Sequence, residues 1–188
     1  MCCPEFNVGM FFIGKMRPDE VIVVRNCRRY SSYHGYLHTF EYTGPWVGTS
    51  EVQAILTMDA CTISHFSEPQ VLRDVQKAVL AFECCEGQVI STGRWGCGAF
   101  GGTPAHKFAQ QLVAAALVGV SRLEFSTFGT PDGCDEVLAS LEQRQQLQGV
   151  AGRRVSAGQL LAAILDCEGS RPAEFVDRFL AALQHHCH

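Results

Sequence analysis

The sequence predicts an α/β fold, and three observations carry the prediction. Short β-branched or alternating runs (VIVV at 21–24, EVQAILTMDA at 51–60, QVIST at 88–92, RLEFSTF at 122–128) alternate with longer helical patterns, of which PQVLRDVQKAVLAFECC and QQLVAAALVGV are the clearest. Turn and cap residues punctuate the joins, among them Pro69, the pair Thr103-Pro104 and Gly129. The chain also has the size and balance of a domain with a real core: 188 residues, 47% hydrophobic and 18% charged. Alternation of strands with buried helices implies a sheet flanked by helices.

The elements follow in order. PEFNVGMFFIGKM places Phe6, Met10 and Ile13 at helical spacing and predicts a helix packed on a core. VIVV is a continuous β-branched run and predicts a strand buried on both faces. Residues 25–42 are aromatic and loop-like at first, then alternate as a strand, and 51–60 form another. A helix starts at Pro69 and runs to Cys85, and 88–92 form a strand that enters a glycine-rich stretch. Thr103 serves as N-cap and Pro104 as first residue of the next helix, which is apolar beyond Gln111 and therefore largely buried. After the strand at 122–128 the pattern is helical from Asp132 onward, with Ser156 and Ser170 as caps. No repeat or long linker interrupts the chain.

Composition narrows the function. A net charge of −4 and a pI near 5.9 argue against a broad basic face for nucleic acid. Arg25, Arg28 and Arg29 form one local basic cluster, read as a solvated loop after a strand. No apolar run approaches the ~18 residues of a membrane span, and the first residues lack the basic start of a secretory signal. The ten cysteines are scattered without C-x-x-C spacing and read as mostly buried free thiols in a reducing compartment, nuclear or cytoplasmic, rather than disulfides or zinc ligands. The ending HHCH (185–188) reads as a frayed helix end, with metal binding as the alternative.

STGRWGCGAFGG (91–102) is the least ordinary stretch, with five glycines in ten positions. Each glycine costs backbone entropy. A glycine turn between a buried strand and a capped helix converges main-chain N–H groups beside a helix N-terminus, the usual seat of a phosphate. The stretch is not a P-loop, because no Gly-Lys-Ser/Thr follows. Gly96, Gly98 and Gly101 match G-x-G-x-x-G offsets, but late in the domain and without the paired acidic residue of a dinucleotide site. A phosphate cradle and a tight, strain-relieving connection both stand at this level.

GRWGCGAFGG, with RLEFSTFG after the helix, resembles the N-W-G-C-G-A-F-G-G and T-F-G of the poly(ADP-ribose) glycohydrolase family. RRYSSYHGYLHTFEY (28–42) is similar to that family's Y-S-E-Y-x-G-Y-x-x-x-Y region, and Pro4-Glu5 and Glu20 keep the family spacing to it. RRVSAGQLLAAIL (153–165) resembles the C-terminal helix more faintly. The resemblance implies a macrodomain-like mixed sheet flanked by helices, incomplete at its N-terminus, over residues 1–131, with a helical C-terminal extension over 132–188 packed on it. It implies poly(ADP-ribose) or ADP-ribose as partner, in the turnover of ADP-ribosylation during the DNA damage response. It implies no cofactor, no direct nucleic-acid or membrane partner, and leaves oligomeric state open. Gly96, Cys97, Gly98, Ala99, Phe100 and Gly101 would wrap the diphosphate, Phe100 would shape the ribose side, Tyr36 would close over the ligand and Phe128 would wall the adenine. On the residues alone, Tyr30, Tyr33 and Tyr36 also read as packing aromatics and Phe128 as a strand residue of the core.

Cleaving a ribose–ribose bond needs a carboxyl of raised pKa to protonate the leaving oxygen. The family places it in a Gly-Gly-Gly loop followed by Gln-Glu-Glu, and neither motif occurs in these 188 residues. In register with Pro4-Glu5, the Gln-Glu-Glu falls just before Met1; Glu5 matches a later helix residue and is no substitute. No catalytic residue is therefore assigned. Arg94 stands where the family has Asn, and Thr130 where it usually has Asp, which predicts an altered loop anchor and a looser adenine rim. The readings are an inert partial copy of a glycohydrolase, a non-catalytic ADP-ribose reader, or a decayed interaction protein. Apolar faces at Phe11, Phe12 and Val21–Val24 call for upstream strands and favour the first.

Overall fold

The computed structural model of the chain describes residues 12–35, 37–48, 51–129, 131–148 and 155–187. Its two compact units cover Met1–Met58 and Asp59–His188.

The first unit holds β1 (Ile22–Arg28), β2 (Ser31–His34), β3 (Glu41–Pro45) and β4 (Glu51–Thr57). β1 pairs antiparallel with β4, Val24 facing Ile55, and β2 pairs antiparallel with β3 across a bulge between Ser32 and Tyr33. Val21–Val24 are half-buried, not enclosed on both faces as expected. A two-stranded ribbon buries its strands less than the interior of a parallel sheet does. The basic cluster is not a loop: Arg25 and Arg28 are solvated as expected but lie within β1, and the Arg29 guanidinium stacks over Trp46 at 3.9 Å and Tyr33 at 4.7 Å. The expected N-terminal helix lies mostly outside the described residues. Its described end, residues 12–16, is turn and bend, with Phe12 exposed.

The second unit runs α1 (Glu68–Phe82), β5 (Val89–Gly93), α2 (Pro104–Val118), β6 (Arg122–Ser126), α3 (Cys134–Gln148), α4 (Ala157–Leu165) and α5 (Phe175–His186). α1 ends earlier than expected, at Phe82, and a 3-10 turn takes Glu83–Cys85. β5 and β6 are parallel, with Thr92 opposite Phe125, and α2 is their crossover. α2 is the hub, packed by α1, α3, α4 and α5. It starts as expected with Thr103 in N-cap conformation, though the side chain makes no capping bond, and it stops at left-handed Gly119. Ala105, Phe108, Ala109 and Val113 of α2 meet Val71 and Val75 of α1, Leu160 and Ile164 of α4, and Phe175, Phe179 and Leu183 of α5 in one core. Each large side chain enclosed there contributes about 1.5–3 kcal/mol.

Ser156 caps α4 through a full capping box with Gln159. Ser170 does not cap α5: it is buried with its hydroxyl unpartnered among the described residues, and the chain passes through a 3-10 turn at Pro172–Glu174 before α5. The end of α5 is tied rather than frayed, since Gln159 donates to the His186 carbonyl and His186 pairs with Asp166. Among the described residues no three metal-ligating side chains gather, no helix is long and apolar enough to cross a membrane, and Cys61, Cys84, Cys85, Cys97, Cys134, Cys167 and Cys187 are free, four of them buried.

Candidate functional site

Because β5 and β6 are parallel, their carboxyl ends share one edge, and the segments that leave there, 94–103 and 127–129, begin side by side. Ligand crevices of open α/β sheets form at such edges. The glycine stretch crosses this edge in two tight turns. Arg94 O accepts from Cys97 N–H at 3.1 Å, and Gly98 O accepts from Gly101 N–H at 3.1 Å; Gly102 N–H then closes back on Gly96 O at 2.9 Å.

These bonds leave part of the main chain unpaired. The carbonyls of Gly96 and Gly98 are satisfied by the turns, and that of Phe100 by the His65 ring at 2.7 Å. Among the described residues, the N–H groups of Gly98, Ala99 and Phe100 have no partner. Among the described residues the carbonyls of Cys97 and Ala99 are without a partner too, but three consecutive N–H groups are free to donate, which is what an anion requires.

The glycines divide by cause. Gly96 holds φ +74°, and a Cβ there would lie 2.6 Å from the Ala60 Cβ. Among the described residues, Gly98 has nothing within 4 Å of such a Cβ, and its backbone is not left-handed. Neither strain nor packing inside the chain asks for glycine at 98. A ligand approaching the main chain would.

The loop rests on a buried polar floor. Lys107, in the first turn of α2, is fully buried and ion-paired with buried Asp74 of α1. It also contacts the Gln110 Oε1 at 3.3 Å, the Cys61 Sγ at 3.6 Å and the Trp95 ring at 5.2 Å. Burial alone would raise the Asp74 pKa, but the Lys107 ammonium and the hydrogen bonds from Lys107, Cys61 and Arg73 hold it below the ordinary carboxylate range. Burial pushes both the Cys61 and Cys97 thiols up to about 11. Neither is a thiolate nucleophile at neutral pH. Gln111 ties β5 to α2 by donating to Gly93 O and accepting from the Thr92 hydroxyl.

Arg94 anchors the start of the loop. Its guanidinium spans to Asp132 (2.9 and 2.8 Å) and to Thr127 O (2.6 Å), while the other Asp132 oxygen accepts from Cys134 N–H at the start of α3. Phe128 is not a core strand residue: it follows β6, is 76% exposed and holds φ +56°. Such a backbone is an outlier for a bulky side chain. Its ring lies 5.8 Å from the Arg94 guanidinium and beside Gly93. Phe100 is 40% exposed, and Gly98, Ala99 and Gly101 are exposed with it. Cys97 is half-buried and points its thiol at Trp95 O; Gly101 spends its N–H inside the second turn. Tyr36, Glu5 and Thr130 lie outside the described residues. In the first unit Tyr33 packs on Phe40, and Tyr30 is exposed beneath Arg28. Sequence reasoning missed Asp74, His65 and Lys107. The available signal was the run His106, Lys107, Gln110, Gln111, four polar residues on a helix otherwise built for burial.

A family model described as poly(ADP-ribose) glycohydrolase, macro domain fold, matches residues 1–134. The chain is 29% identical over 179 residues to poly(ADP-ribose) glycohydrolase 1 of Caenorhabditis elegans, covering 80% of this chain and 23% of that protein. It is 23% identical to probable poly(ADP-ribose) glycohydrolase 2 of Arabidopsis thaliana, covering 89% of this chain and 41% of that one. Poly(ADP-ribose) glycohydrolase 2 of Caenorhabditis elegans is 26% identical, over 73% of this chain and 34% of its own length. The chain thus spans between about a quarter and two-fifths of these relatives.

Proposed function

The chain belongs to the poly(ADP-ribose) glycohydrolase family, with its macro domain fold, and from that premise we propose that its glycine loop holds the diphosphate of an ADP-ribose unit of poly(ADP-ribose). The observation that carries this reading is the three consecutive unpartnered N–H groups at Gly98–Phe100, with open space before Gly98. In the proposal, the amides of Gly98, Ala99 and Phe100 bond the phosphate oxygens, while Gly96, Cys97 and Gly101 shape the turns. Bonds to a charged acceptor are worth about 1.5–3 kcal/mol each. The exposed Phe100 ring borders the ribose and Phe128 borders the adenine, each offering an aromatic face. Tyr36 is assigned to the same ligand on its sequence motif. Residues 132–188 are kept as a helical extension of the family domain, and the free thiols suit a reducing nuclear or cytoplasmic compartment.

In the whole protein, the proposed chemistry is hydrolysis of the ribose–ribose bond with release of ADP-ribose. This chain supplies binding and orientation. The protonating carboxyl belongs to a Gln-Glu-Glu motif that these 188 residues do not contain. The chain alone therefore binds ADP-ribose and releases none from polymer.

Calorimetric titration of ADP-ribose into the purified chain, beside a polymer-release assay, tests both halves. The expected results are saturable binding in the micromolar-to-millimolar range, about −4 to −8 kcal/mol, and no release. Release of ADP-ribose would overturn the non-catalytic assignment; a folded chain that binds nothing would overturn the binding one and favour a decayed interaction protein.

A further inference from the structure

We propose that His65 is a positioning residue for the glycine loop: it holds the Phe100 carbonyl away from the ligand so that the three amides before it face the diphosphate. The inference rests on the diphosphate reading above. His65 lies outside every motif that carries the family resemblance, in the connection ahead of α1. Its Nε2 is 2.7 Å from Phe100 O, across 35 residues of sequence, and its Nδ1 is 3.1 Å from Cys61 Sγ.

The direction of the bonds follows from their ends. A carbonyl only accepts, so Nε2 carries the proton donated to Phe100 O. In the neutral ring Nδ1 then accepts, and the Cys61 thiol donates to it. The raised Cys61 pKa keeps that proton on sulfur at neutral pH. Lys107 donates to the same sulfur from below, at 3.6 Å. The relay Lys107–Cys61–His65–Phe100 is thus polarised one way throughout, from a buried ammonium to a loop carbonyl. A carbonyl oxygen left at the mouth of the loop would repel phosphate oxygens; held on His65, it contributes nothing against them.

A second observation points the same way. Ser64, immediately before His65, is held at φ +53°, and its carbonyl accepts from both the N–H and the hydroxyl of Ser67 at the N-cap of α1. The backbone that presents the ring is fixed in a conformation that residues other than glycine seldom adopt. Such strain persists where surrounding structure over-determines it, often at ligand clamps.

The test uses the whole chain and three probes: ADP-ribose, inorganic pyrophosphate and adenosine, titrated against amide NMR spectra that read millimolar affinities. His65→Ala is expected to weaken ADP-ribose and pyrophosphate about tenfold and to leave adenosine unchanged. His65→Gln, which keeps a donor near the Nε2 position, restores most of the loss. Should His65→Ala fail to fold, His65→Gln and Cys61→Ala carry the test, the latter with an intermediate loss confined to the two diphosphate probes. Equal weakening of all three probes would mark His65 as merely structural, and unchanged pyrophosphate affinity in a folded His65→Ala chain would overturn the proposal outright. Wild-type chain that binds adenosine but neither diphosphate probe would instead remove the diphosphate reading, and this inference with it.

Discussion

Replacing Gly96 with alanine sets a methyl group 2.6 Å from the Ala60 Cβ and forces a side chain into φ +74°. That strain and overlap cost about 1–3 kcal/mol, so a Gly96→Ala chain is expected to melt several degrees lower whether or not a ligand is present. Gly98→Ala meets no atom within 4 Å and no unusual backbone, so its melting temperature should match wild type. Its methyl group instead occupies the space from which a diphosphate would reach the amides, and ADP-ribose affinity should fall about tenfold, about 1.4 kcal/mol. Thermal melts and titrations of the two variants separate a glycine needed by the fold from one needed by the ligand. A Gly98→Ala chain that binds as wild type would count against the loop. The sequence displayed all five glycines alike. Which of them serves packing depends on Ala60 and Lys107, neither of which a local pattern brings beside the loop.

At the scale of an element, α2 carries the argument, because its first turns bury four polar side chains against the apolar logic of the core. His106 lies between Phe66, stacked at 4.4 Å, and Phe175 at 4.9 Å, with Nε2 3.2 Å from the Gln110 amide and Nδ1 unpartnered among the described residues. Burial first, then the Lys107 charge, push its pKa down to about 3. Folding therefore keeps this ring neutral, while the unfolded chain takes up a proton below pH ~6.5. Between about pH 6.5 and 3 the unfolded state binds more protons, so stability should fall as pH falls, by up to about 1.4 kcal/mol per unit. Chemical denaturation at several pH values checks this. His106→Phe, which keeps the aromatic stack, should flatten the slope; an unchanged slope would assign it to other groups. The order β5, loop, α2, β6 was legible in the sequence because strand pattern, glycines, Thr103-Pro104 and the apolar helix are all local signals. The floor beneath the loop was not, since Lys107 and Asp74 stand 33 residues apart and Lys107 and Cys61 stand 46 apart.

At the scale of the whole molecule, a parallel strand pair with its crossover helix places the loop and Phe128 at one edge, over a core that the three C-terminal helices help to fill. The β-branched run at 21–24 forms strand from Ile22 onward yet is only half-buried, because burial is a property of neighbours rather than of the run itself. Ser170 illustrates the same limit: a serine before a helical pattern looks like a cap, and here the chain inserts a 3-10 turn between them. Binding in the proposed function depends on main-chain amides meeting a pyrophosphate. The most direct measurement is the proton–nitrogen NMR spectrum of the chain titrated separately with ADP-ribose and with adenosine. The Gly98, Ala99 and Phe100 amide protons should move downfield, saturably, with ADP-ribose and stay in place with adenosine. Resonances at these three positions that remain still while ADP-ribose binds would contradict the account.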